Sequence, residues 1–162
     1  MESSTDGRYR VVTRRRMPAP REVVFDAWID PKGIREWMCP GDAVSAEATL
    51  DVRVGGSFRL VMKGKDKDHV HIGTYQVVEP PARLVFTWAA DESPGDVTLV
   101  TVEFFPFGDE SELVLTHERF SKADLAKRYE TGWATIVEKF AAYLSLYSSK
   151  TQRVQVEGDQ HG

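Results

Sequence analysis

The sequence predicts an α+β helix-grip fold. It has a curved antiparallel sheet of about seven strands, two short helices after the first strand, and a long C-terminal helix across the concave face. Three observations lead there. Segments of period two follow one another from Val44 to Arg119 with tight turns between them, which suits a meander rather than βαβ units. Several of these segments have one apolar phase and one polar phase. Phe58, Leu60 and Met62 oppose Arg59 and Lys63; Leu84, Phe86 and Trp88 oppose Thr87; Val100, Val102 and Phe104 oppose Thr101 and Glu103. A sheet with one dry face needs a cover, and the last long segment supplies it. There Leu125, Tyr129, Gly132/Trp133, Ile136, Phe140 and Leu144 recur at spacings of three and four.

The elements follow in order. Residues 1–8 are small, polar or basic and are expected to be a flexible lead, and residues 9–148 form a single domain. Tyr9 to Arg15 reads as the first strand, with Tyr9, Val11 and Thr13 on one face and arginines prominent on the other. Met17-Pro18-Ala19-Pro20 breaks it, and Pro20 suits the first turn of a helix. From Arg21 to Ile29, Val24, Ala27 and Trp28 form an apolar stripe, supported by Phe25 and Ile29. Asp30-Pro31 caps and opens a second short helix in which Ile34 and Trp37 share a face, and Pro40-Gly41 ends it. Strands follow near Val44–Leu50, Ser57–Lys63, Val70–Glu79, Arg83–Ala89, Val97–Phe107 and Glu112–Arg119. In the third of these the phase is ambiguous, and Gly73 marks a candidate bulge. Ser121 caps the long helix, which runs to about Ser148, and polar residues 149–162 are expected to be a disordered tail.

Composition bounds the function. The 162 residues carry a net charge of −4 with a sequence pI near 5.6, which argues against a broad electrostatic grip on nucleic acid. The single cysteine, Cys39, leaves no internal disulfide and suits a reducing compartment. No apolar run approaches the roughly 20 residues that span a bilayer, and no apolar core follows the basic N-terminal residues. A cytoplasmic protein without membrane insertion is expected.

Short motifs recur in a fixed order: Trp37-x-x-Pro40, Asp51-x-Arg53-x-Gly55-Gly56, Gly73-x-Tyr75, Glu79-Pro80-Pro81-x-Arg83-Leu84 with Phe86-Thr87-Trp88, and Gly132-Trp133. Together they resemble the Hsp90 ATPase activator-like branch of the SRPBCC (START and Bet v 1-like) superfamily, from about Tyr9 to Leu146. The resemblance implies a sheet closed by a long helix with function in the hollow between them.

On the dry face, Trp37, Phe58, Leu60, Met62, Phe86 and Trp88 supply apolar walls with a few polar tips, the make-up of a small-molecule pocket. Val102, Phe104, Leu115, His117, Tyr129, Trp133 and Ile136 complete the expected lining. The same residues also make an ordinary core. His117 continues the inward phase of Leu113 and Leu115, which makes it a candidate acid/base or orienting group, or a hydrogen-bonded core histidine. Tyr129 and His71 are the other candidates for chemistry. His69-x-His71 puts two imidazoles on one strand face, but no third ligand is evident, so no metal site and no cofactor are assigned. Cys39 reads as an inert neighbour of Trp37. Asp51-x-Arg53-x-Gly55-Gly56 reads as a structural turn, since a strand rather than a helix follows it. The arginines at 8, 10, 14, 15 and 16 read as a solvated sheet edge. No G-x-S-x-G, Walker loop, G-x-G-x-x-G or H-E-x-x-H motif occurs.

Three functions follow. The first is binding of a hydrophobic or amphipathic small molecule, such as a lipid, polyketide or aromatic metabolite, in the cavity between sheet and C-terminal helix. The second is a cavity enzyme of cyclase, dehydratase or hydrolase type. The third is a chaperone-associated protein, the role implied by the resemblance. That role transfers poorly, because only a short extension precedes the first strand. A homodimer is left open.

Overall fold

The computed structural model describes residues 2–3, 9–39 and 45–161, with side chains described for residues 9–39 and 45–146. The expected helix end at Pro40-Gly41, the strand start at Val44 and most of the lead before Tyr9 lie outside the described residues. The chain order is β1 (Glu2–Ser3), β2 (Tyr9–Met17), α1 (Arg21–Trp28), α2 (Pro31–Trp37), β3 (Ser45–Leu50), β4 (Ser57–Lys63), β5 (Asp68–Glu79), β6 (Arg83–Ala90), β7 (Thr98–Phe107), β8 (Glu110–Phe120) and α3 (Ala123–His161). All strands join one sheet in the order β1-β2-β8-β7-β6-β5-β4-β3. Every pairing is antiparallel. The seven main strands and the three helices match the expected architecture. Two terminal details differ. Glu2 and Ser3 pair with Arg10 and Tyr9, so part of the expected loose lead extends the sheet. The backbone of α3 continues helical through residues 149–161, read from polarity as a disordered tail; no proline interrupts that stretch, and its Lys, Gln, Arg and Glu residues are good helix formers.

Local chemistry accounts for the short helices. The Asp30 carboxylate accepts from the Lys32 backbone N–H at 3.1 Å and Pro31 occupies the first turn of α2, as its sequence implies. Pro20 precedes α1 as its cap residue, with its carbonyl accepting from the N–H groups of Val23 and Val24. On the sheet, the inward phase is buried in every central strand: Phe58, Leu60 and Met62 on β4, Leu84, Phe86 and Trp88 on β6, Val100, Val102 and Phe104 on β7, Leu113, Leu115 and His117 on β8. Arg15 shares the inward phase of Val11 and Thr13, as alternation along the strand requires. Its guanidinium reaches Glu138 on α3, through Nε and through Nη2 at 3.2 Å. The other arm arginines pair outward, Arg14 with Glu112 at 4.0 Å and Arg16 with Glu110 at 3.7 Å.

The ambiguity in β5 has a physical cause. Its register shifts between Tyr75 and Val77, two residues beyond Gly73. A Cβ at Gly73 would stand 1.9 Å from the Thr87 carbonyl oxygen and 2.4 Å from the Phe58 ring, so glycine is what lets that ring lie flat on the bent strand. The Gly55-Gly56 turn is tied to the same bend: Gly55 N–H donates to the Tyr75 carbonyl at 2.8 Å and Tyr75 N–H donates to the Gly56 carbonyl at 2.9 Å. Asp51 holds Arg53 Nε at 2.9 Å. The motif is structural, and it fixes the curvature of the sheet at Tyr75.

α3 packs chiefly over β2 and against α2, while α1 packs on β7 and β8 and α2 on β3. Trp28, Trp37 and Phe140 form one ring cluster, with centroids 4.9 Å apart for Trp28–Trp37, 4.2 Å for Trp37–Phe140 and 5.5 Å for Trp28–Phe140. Together the three rings join both short helices to α3.

Candidate functional site

A small apolar hollow lies between the short helices and the sheet. A cavity of about 20 Å³ is walled by Trp28, Ile34 and Met38 from α1, α2 and the residue after α2, and by Leu50, Phe58, Leu60, Tyr75, Phe86 and Trp88 from β3 to β6. α3 contributes no wall residue. That volume holds about one water molecule. Of the predicted lining, Phe58, Leu60, Phe86 and Trp88 stand at the cavity. Trp37, Met62, Val102, Phe104, Leu115, Trp133 and Ile136 are buried in the core and are not among the walls of this hollow. α3 packs over β2, α1 on β7 and β8 and α2 on β3, and it is Trp28 and Ile34 of the short helices that face the hollow. Trp28, Ile34, Met38, Leu50 and Tyr75 were not in the expected lining. The apolar stripes of α1 and α2 carry the signal for the first two, but their orientation toward β3–β6 depends on tertiary packing.

Next to the hollow, where the first turns of α3 meet the sheet, six polar-tipped side chains form one hydrogen-bonded network. The Trp133 indole N–H donates to His117 Nδ1 at 2.9 Å. That makes Nδ1 an acceptor, so the neutral ring carries its proton on Nε2 and donates it to Thr98 Oγ1 at 2.6 Å. The Thr98 hydroxyl in turn donates to the Trp88 carbonyl at 2.8 Å. A second branch starts from the Trp88 indole N–H, which donates to Tyr129 Oη at 3.3 Å. The Tyr129 hydroxyl has one acceptor among the described residues, His71 Nε2 at 3.2 Å. The His71 proton therefore belongs on Nδ1, which is buried and has no partner among the described residues. The His71 ring stacks on Trp88, 4.7 Å between centroids and 25° between planes.

Burial sets the protonation. It pushes the His117 imidazole down to about 3, with the charge of His71 a lesser cause. His71 is lowered to about 4, again by burial first and by His69 second, with Glu92 pulling the other way. Burial raises the Tyr129 phenol, against a smaller opposing effect from the Trp88 N–H. Tyr75 is pushed up to about 12 by burial. The network is thus uncharged at neutral pH. His117 is wholly inaccessible with both nitrogens engaged, so it joins α3 to β7 and β8 and has no free nitrogen to offer a substrate. Thr98 was not among the expected site residues. Its place two residues before Val100, in the inward phase of β7, is the signal that a hydroxyl stands on the dry face. The His71–Tyr129 contact spans 58 positions and no local spacing encodes it.

Cys39 is buried, its thiol donates to the Arg35 carbonyl at 3.7 Å, and burial raises its pKa. This is the chemistry of an unreactive thiol. Among the described residues no helix is long and apolar enough to cross a membrane.

Comparison with known proteins agrees with this architecture. Mll3558 from Rhizobium loti is 30% identical with a TM-score of 0.70, over 85% of this chain and 97% of that one. CalU16 from Micromonospora echinospora is 23% identical with a TM-score of 0.68, over 97% and 90%. DynU16, a protein of the dynemicin biosynthetic locus, is 21% identical with a TM-score of 0.70, over 84% of this chain and 47% of that one. At such identities the last two establish the fold alone. No curated protein matches. The family model described as "Activator of Hsp90 ATPase homolog 1-like protein" matches residues 18–145, and the chain therefore belongs to that family.

Proposed function

We propose that the protein binds a hydrophobic or amphipathic small molecule, such as a lipid, polyketide or aromatic metabolite, in the hollow between α1–α2 and strands β3–β6. The observation that carries this reading is an apolar, aromatic-walled cavity beside a buried polar group that lacks a partner among the described residues. As it stands the hollow admits about one water, so a guest enters by displacing its softest walls. These are Met38, a flexible thioether side chain, and α2, a helix of seven residues. The origin of DynU16 in a biosynthetic locus supports a biosynthetic small molecule as the class of guest. A catalytic reading through His117 is not favoured, because both of its ring nitrogens are engaged.

Native mass spectrometry of the purified protein, followed by organic extraction, tests the reading. A stoichiometric apolar guest is expected, or, if the protein purifies empty, saturable uptake of a hydrophobic fluorescent dye that small aromatic compounds displace. Folded protein that carries nothing and takes up no dye would overturn it.

A further inference from the structure

His71 and Trp37 each keep a buried nitrogen without a partner among the described residues, and of the two only His71 is tied to the network beside the hollow. The His71 Nε2 is held by Tyr129, its face by Trp88, and its Nδ1 is buried and unpartnered among the described residues. Trp88 is a wall of the hollow, and so is Leu60, which lies directly across the β4–β5 register from His71 on the same sheet face. A buried N–H without an acceptor is unfavourable, and such groups in folded proteins are matched by water or by a ligand atom.

We propose that His71 Nδ1–H is the hydrogen-bond donor that orients the guest, and that the guest is a planar aromatic molecule bearing a carbonyl or other uncharged acceptor oxygen. This rests on the reading of the hollow as the binding site. Aromatic character follows from the walls: Trp28, Phe58, Tyr75, Phe86 and Trp88 present ring faces and edges. An uncharged acceptor follows from the donor: a neutral imidazole offers one N–H and no compensating charge, so a buried anion would be poorly paired. Tyr129 is the positioning residue. By donating to Nε2 it keeps the proton on Nδ1, and its own oxygen is fixed by the Trp88 indole.

The experiment uses acetophenone and ethylbenzene, which share a ring and differ in the acceptor. Equilibrium dialysis of the full chain gives the ratio of their affinities in wild type, His71→Phe and Tyr129→Phe. His71→Phe keeps a ring on Trp88 and is expected to lower the preference for acetophenone about 5- to 30-fold, leaving ethylbenzene nearly unchanged. Tyr129→Phe is expected to lower it by a smaller factor, and it carries the same test if His71→Phe does not fold. Long-range ¹H–¹⁵N spectra are expected to place the His71 proton on Nδ1. An unchanged ratio in both variants, or a proton on Nε2, overturns this inference while leaving the pocket reading intact. Binding of neither compound to wild type overturns both.

Discussion

His117 is best understood by following its two nitrogens. One accepts from Trp133 on the helix and the other donates to Thr98 on the sheet, so the ring works as a pin between layers. Trp133→Phe removes the donor and leaves Nδ1 buried without a partner. A loss of about 1–3 kcal/mol is expected in denaturant unfolding. The pin is also sensitive to acid. His117 and His71 are held at about 3 and about 4, against 6.5 for an ordinary imidazole. Below pH 6.5 the unfolded chain takes up protons at both sites while the fold does not. Their stabilising contribution is therefore fully present above that pH and is lost as pH falls toward the two lower values. The expected slope is up to about 1.4 kcal/mol per pH unit for each histidine. Melting curves between about pH 7 and pH 5 check the sign, and stability that rises on acidification over that range would contradict it. The inward phase of His117 is legible in the sequence from Leu113 and Leu115. Its partners are not, because one lies on the preceding strand and the other on a helix whose docking is a tertiary event.

At the scale of elements, the strands and helices follow from alternation, helical stripes and turn residues, and even the trouble spot in β5 announces itself through Gly73. The expected effect of Gly73→Ala is correspondingly large. Its Cβ would overlap the Thr87 carbonyl and the Phe58 ring, for a loss of about 2–4 kcal/mol. Gly95→Ala, where nothing stands within 4 Å, should stay within about 0.5 kcal/mol of wild type in the same thermal melts. The bulge near the end of β8, where its register against β2 shifts, is less readable. It places Arg119 at φ 74°, which a branched side chain tolerates poorly. Arg119→Gly should be tolerated and Arg119→Val should cost about 1–2 kcal/mol, since only the second adds steric conflict in the left-handed region. What the sequence could not supply is which helix covers which strands, and that decides where the hollow lies. Periodicity identifies an apolar face without naming its partner.

For the molecule as a whole, the sheet carries two different covers. α3 lies over β2 and gives no residue to the wall of the hollow, whereas α1 and α2 wall it through Trp28 and Ile34. Two truncations separate these sides. Leu60→Ala enlarges the hollow and should lower stability by about 2–5 kcal/mol while strengthening uptake of benzene-sized compounds. Phe140→Ala, from the α3 side, should lower stability by about 3–5 kcal/mol without that gain. Dialysis against benzene beside denaturant titrations reads both, and equal uptake by the two variants would refute the division. Trp88 belongs to both sides: its ring walls the hollow, its carbonyl ends the His117 branch, and its indole N–H begins the Tyr129 branch. Any guest that moves this ring also loads the bonds that hold the long helix. One indole is thus a common member of the hollow's wall and of the bonds that fasten the long helix.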